Sequence, residues 1–197
     1  MHFYGAYFGS RHHITEIKTL DMDFLISNPK RVIKPPLDIE DLLKPLDFER
    51  EFTASGWLRF VHPHLRVEFL VPRKGPTPDK PIKVADLQIV AMPLRHTGPL
   101  TKHTIKVERE GLAVRIPHPV AFALHKLFVS KRRKDRGKAE KDRIQAFRIL
   151  ELILRSKDTV EIAPIWGTFT RKERRDILAV FKVEERNELL ESLGLTA

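Results

Sequence analysis

Between residues 65 and 71 apolar and polar side chains alternate. Leu65, Val67, Phe69 and Val71 fall on one face of an extended strand, and Arg66, Glu68 and Leu70 on the other. A second extended run, residues 57–61, precedes it across His62-Pro63-His64, so the two read as a hairpin. Two more strands are expected at about residues 104–109 and 112–116, joined at Glu110-Gly111. An apolar run at about residues 20–27 reads as the first strand. Residues 82–92 are apolar without a clean period and predict a short element, helix or strand, packed on the sheet.

Helical spacing appears elsewhere. Residues 1–9 read as the end of a helix stopped at Gly9, followed by a loop over residues 10–18 that contains His12 and His13. Residues 36–43 predict a short helix with Asp38 as its N-cap, in a connection that Phe52 ends. Pro117-His118-Pro119 opens a helix to about Arg132 that buries Val120, Phe122, Ala123, Leu124, Leu127 and Phe128. Past a basic loop, residues 138–155 carry Ile144, Phe147, Leu150, Ile153 and Leu154 at helical spacing. Two short helices follow, at about residues 171–181 and 184–193, with Trp166 anchoring the join. The pattern predicts an α+β protein: a mixed sheet with helices over residues 1–117, then a helical region over residues 118–197.

Composition narrows the chemistry. The 197 residues include no cysteine, which excludes disulfides and thiolate metal sites and fits a reducing, cytoplasmic setting. No apolar run is long enough for a membrane span, and residues 1–4 lack the pattern of a signal peptide. The formal charge of +10 favours polyanionic partners such as nucleotides, RNA or DNA.

The stretch that carries chemistry is Asp21-Met22-Asp23 at the start of the first strand. Side chains at i and i+2 of a strand share a face, with Cα atoms about 6.5–7 Å apart. Two carboxylates held that close repel one another unless water or a cation compensates. Mg²⁺ prefers such hard oxygen ligands, and two ions about 3.5–4 Å apart suit phosphoryl or nucleotidyl transfer. Glu68, in mid-strand among apolar residues, is the third candidate ligand if a neighbouring antiparallel strand brings it to the same edge. The competing reading makes Glu68 the ion-pair partner of Arg66 or Arg59 on a solvated face.

A strand with Asp-x-Asp, a connection, a strand with an acid, a hairpin and then a helix bearing Lys126 resembles the polymerase-β-type nucleotidyltransferase superfamily. The likeness is greatest to minimal bacterial and archaeal nucleotidyltransferases, the abortive-infection toxins among them. It rests on residues 19–26, Val67-Glu68-Phe69, the block of residues 118–126, Lys138 and Lys141-Asp142, and spans about residues 4–155. The resemblance implies an NTP substrate and Mg²⁺ or Mn²⁺ held by Asp21, Asp23 and Glu68, the glutamate standing where many members have aspartate. It also implies triphosphate contacts from Lys126, with Lys141 and Asp142 meeting phosphate or bracing the site. The acceptor is then an RNA end, a protein side chain or a small molecule, and an antitoxin is a further partner class.

The family's glycine turn, where bare backbone N–H groups approach the triphosphate, has two placements. Either Gly9-Ser10 supplies it, or it lies upstream of Met1 and the chain is a truncated or degenerate member. The alternative function is a catalytically inactive module of this fold that binds nucleic acid or protein through Lys131, Arg132, Arg133, Lys134 and Arg136.

Overall fold

A computed structural model describes residues 21–73, 75, 80–109, 111–156 and 162–196. Gly9, Ser10, His12, His13 and the expected N-terminal helix lie outside the described residues. The described residues form two compact units, divided between Thr97 and Gly98. Among the described residues no helix is long and apolar enough to cross a membrane.

The first unit is a six-stranded mixed sheet. Its strands are β1 (Asp21–Leu25), β2 (Glu49–Phe52), β3 (Leu58–His62), β4 (Leu65–Arg73), β5 (Ile82–Val84) and β6 (Ile89–Arg95). β4 is the hub: β3 pairs with it antiparallel, and β1 and β6 pair with it parallel. The apolar face assigned to β4 is the buried one. Val67, Phe69 and Val71 join Leu58, Phe60, Val84, Ile89 and Ala91 in a core against which Met22 packs.

Helix α1 (Ile39–Leu43) has the expected cap, the Asp38 carboxylate accepting from the Glu40 and Asp41 backbone N–H groups. Three features depart from the sequence expectation. Residues 49–52 form a strand, because Glu49-Arg50-Glu51-Phe52 is an exposed edge with no apolar periodicity to announce it. The stretch expected as one element over residues 82–92 is a hairpin, β5–β6. It is broken by a 3₁₀ turn at Ala85–Leu87 and by Gln88 in the left-handed region (φ 51°). β1 runs parallel to β4 rather than antiparallel, since the connection over residues 26–48, which holds α1, returns the chain to the same end of the sheet before β2, and β2, β3 and β4 then alternate in direction.

The second unit opens with the one-turn helix α2 (Gly98–Lys102) and the hairpin β7 (Thr104–Arg109)–β8 (Leu112–Pro117), turned at Gly111 (φ 77°). Among the described residues five helices follow: α3 (Pro119–Ser130), α4 (Arg136–Ser156), α5 (Ile162–Trp166), α6 (Arg171–Val183) and α7 (Asn187–Ser192). Their core joins Val120, Leu124, Leu127 and Phe128 of α3 to Phe147, Leu150 and Ile153 of α4 and Ile177 and Phe181 of α6. Phe122 and Leu154 are only partly buried at its margin, and Ile144 is 46% exposed. The helix cylinder turns that flank towards solvent and charged neighbours. Trp166 does anchor the C-terminal join, donating its indole N–H to the Thr196 carbonyl at 2.8 Å.

Candidate functional site

The sheet's second face carries the charge. Because the period of a strand is two, burying Met22 and Val67 against the core turns Asp21, Asp23, Arg66 and Glu68 to the opposite side. Register then decides who meets whom. Phe24 lies opposite Phe69 and stacks on it at 5.6 Å between centroids, and Phe69 meets Phe60 edge-on at 6.2 Å. With that aromatic row in place, Asp21 faces Arg66 and Asp23 faces Glu68. Further along the same face Leu25 faces Leu70, so the polar site ends after two rows.

Two cross-strand rows make up the site. One runs from Glu51 on β2 to Arg59 on β3, Glu68 on β4 and Asp23 on β1. The other runs from Glu49 to Val61, Arg66 and Asp21. In the first row Arg59 grips Glu51 with both prongs, through Nε and Nη2, each at 2.8 Å. That hydrogen-bonded contact holds the Glu51 carboxyl below its usual range against the opposing effect of desolvation, with the Arg59 and then the Arg66 charge adding to it. It also raises Arg59, with the charges of Glu51, Glu68 and Asp21 contributing and desolvation opposing. In the second row Arg66 Nε meets Asp21 Oδ1 at 2.8 Å, and both side chains are about two-fifths exposed.

The ion-pair reading of Glu68 therefore needs correcting in its partners. Arg66 pairs with Asp21, and Arg59 hydrogen-bonds Glu51 while its charge reaches Glu68. Glu51 and both arginines share this charged face, and the apolar pattern of the sequence marks neither Glu51 nor its strand. The alternation of charge in Glu49-Arg50-Glu51 just ahead of a hairpin was the signal available.

The three carboxylates offer only oxygen donors on one face of adjoining strands, the chemistry that a hard divalent cation selects. Among the described residues no group of three or more His, Cys, Asp or Glu side chains is placed to hold a metal ion, and Asp21 is engaged by Arg66. The oxygen-only donors suit a hard divalent cation in type, while their present arrangement, with a guanidinium against Asp21, does not gather them into a site for one.

Within the second unit, Lys126 and Asp142 are each other's partners. Lys126 Nζ lies 2.6 Å from Asp142 Oδ1 and 5.0 Å above the Phe122 ring, and Arg133 Nε takes the other Asp142 oxygen. Asp142 is buried, so the pair of cations is what makes its charge tolerable there. Lys141, one residue before it, is exposed. Of the basic elbow between α3 and α4, Lys131 and Arg132 both reach Asp176 on α6, at 2.9 and 2.6 Å, and Arg132 lies 3.8 Å over the Phe128 ring. Asp176 is held below the usual carboxylate range, first by the Lys131 hydrogen bond, against desolvation, and then by Arg132. Lys134, Arg136 and Lys138 are exposed beside them.

No curated protein and no solved structure matches the chain. A family model described as a nucleotidyltransferase matches residues 1–170, which takes in every element that carries the two charged rows, the Lys126–Asp142 pair and the basic elbow. The chain belongs to this nucleotidyltransferase family.

Proposed function

We propose that the chain transfers a nucleoside monophosphate from an NTP to an acceptor hydroxyl in a reaction dependent on Mg²⁺ or Mn²⁺. The observation that carries this reading is the placement of Asp23 directly opposite Glu68, with Asp21 two residues away on the same face. Asp21, Asp23 and Glu68 are the residues that would hold the metal. When bound, divalent ions neutralise the triphosphate and lower the pKa of the attacking hydroxyl. The acceptor oxygen forms a bond to the α-phosphorus, the α–β bridging bond breaks, pyrophosphate leaves, and the hydroxyl proton passes to Glu68 or to water.

In this reading the sheet unit handles the nucleotide and the helical unit handles a polyanion. Residues 98–197 hold 22 Lys and Arg against 14 Asp and Glu, whereas residues 18–97 of the sheet unit hold 13 against 11. That asymmetry favours RNA over a protein side chain or a small molecule as acceptor. Lys141 is the phosphate-facing member of the helical pair, and Asp142 braces Lys126.

The test is to incubate the protein with RNA and each NTP labelled at the α- or the γ-phosphate. Label transferred from the α position alone, dependent on Mg²⁺ or Mn²⁺ and lost in Asp23→Asn, supports the reading. Transfer from the γ position, or transfer indifferent to chelator and to Asp23→Asn, contradicts it.

A further inference from the structure

The two arginines on the charged face are held differently. Arg59 has an anion on both flanking strands, Glu51 on β2 gripped by two hydrogen bonds and Glu68 on β4. Arg66 has no such two-pronged hold: Asp21 is opposite it on β1 and apolar Val61 is opposite it on β3, with Glu51 on β2 within reach of its charge. Its contact with Asp21 is made through Nε, with both side chains about two-fifths exposed. A half-solvated ion pair of this kind costs little to break, whereas the two-pronged Arg59 pair has a second anion to keep it in place.

Arg66 also occupies the carboxylate that the metal-dependent reading requires. A divalent cation and a guanidinium cannot both sit against Asp21 without repelling one another. A guanidinium displaced from Asp21 stays on the same face, two residues along β4 from Glu68, where a metal-bound triphosphate would bring its negative oxygens. Its planar fork of donors matches phosphate oxygens as well as it matches a carboxylate.

We propose that Arg66 is a partner-switching cation. It neutralises Asp21 in the nucleotide-free protein and passes to the phosphates of the incoming nucleotide as the divalent ion takes its place at Asp21. This inference rests on the metal-dependent reading above and adds to it a nucleotide-binding residue that also competes with the metal. Its signature is an effect of opposite sign on two affinities: removing the guanidinium strengthens metal binding alone and weakens nucleotide binding.

The experiment measures free Mn²⁺ by electron paramagnetic resonance in titrations of wild type, Arg66→Gln, Arg66→Lys and Asp21→Asn/Asp23→Asn, all without nucleotide. Binding of an α,β-methylene NTP analogue at saturating Mn²⁺ is then measured by calorimetry. Arg66→Gln is expected to bind Mn²⁺ about 3–10-fold tighter than wild type, and the nucleotide analogue about 10-fold more weakly. Arg66→Lys, which keeps the charge without the fork, is expected to leave Mn²⁺ affinity near wild type and to restore nucleotide binding only in part. Equal Mn²⁺ affinities in wild type and Arg66→Gln, with binding lost in the double variant, overturn the switch and leave the metal reading intact. Mn²⁺ bound by none of the proteins, or bound equally by the double variant, overturns both. Far-ultraviolet circular dichroism confirms that each variant is folded, and Arg66→Lys preserves the Asp21 ion pair if Arg66→Gln is not.

Discussion

Asp23 and Glu68 face one another across the parallel pair β1–β4, and the same register puts Asp21 against Arg66. Like charges placed directly opposite on a sheet are destabilising, so this pair does not serve the sheet. Fold and function should therefore separate on mutation. Asp23→Asn and Glu68→Gln are each expected to lower nucleotidyl transfer by about 10³-fold. Their unfolding free energies should stay within about 0.5 kcal/mol of wild type. Parallel transfer assays and urea titrations check this, and a loss of activity matched by a loss of stability would point to a structural role.

The buried Asp142 predicts an asymmetry of the opposite kind. Asp142→Ala leaves Lys126, whose side chain is 17% exposed, without its carboxylate, and should cost on the order of 3 kcal/mol. Lys126→Met leaves Asp142 to Arg133 and keeps the stem's packing, and should cost about 1 kcal/mol. Denaturant midpoints of the two variants decide the order. If Lys126→Met is the costlier change, the triad is not the brace described.

Asp176 gives the pH dependence a sign. Its folded pKa lies below the ordinary 3.8, so its contribution to stability is fully present above that value and is lost as pH falls through the lower, folded one. Asp176→Asn should thus be less stable than wild type at neutral pH, and the gap should close as the pH drops below about 3.8. Urea midpoints at pH 7, 5 and 3 would show the convergence. A gap independent of pH would assign the loss to packing.

Most of this architecture was legible in the alternation of apolar and polar residues. The hairpin at β3–β4, the hairpin at β7–β8, the capped α1 and the long helices α3 and α4 all follow from periodicity with matching turn or cap residues. β2 was not legible, because an exposed edge strand of Glu and Arg carries no apolar signal. β5–β6 was not, because Gln88 turns the chain where a glycine or an asparagine would have announced it. At the site, Asp21, Asp23 and Glu68 were readable as a shared polar face. Which arginine meets which acid was not, since that depends on register, and register depends on the tertiary stack of Phe24 on Phe69.

The basic elbow predicts a salt-dependent interaction. Lys131, Arg132 and Arg133 are committed to Asp176 and Asp142, so the exposed cations to test are Lys134 and Lys138. The variant Lys134→Glu/Lys138→Glu should bind single-stranded RNA about 10-fold more weakly at low salt. Its plot of log K against log salt should be shallower by about 1.4, which is about 0.7 for each of the two phosphates that these lysines neutralise. Fluorescence anisotropy across a salt series provides both numbers, and an unchanged slope would remove the elbow from the RNA-binding surface.

The most direct test of the central claim is calorimetric titration of each NTP with Mg²⁺ into wild type and the Asp21→Asn/Asp23→Asn variant. Metal-dependent nucleotide binding that disappears in the variant is the predicted result, because the two β1 carboxylates then hold the cation on which the triphosphate rests. Nucleotide binding that survives in the variant, or that proceeds equally well in EDTA, would contradict it.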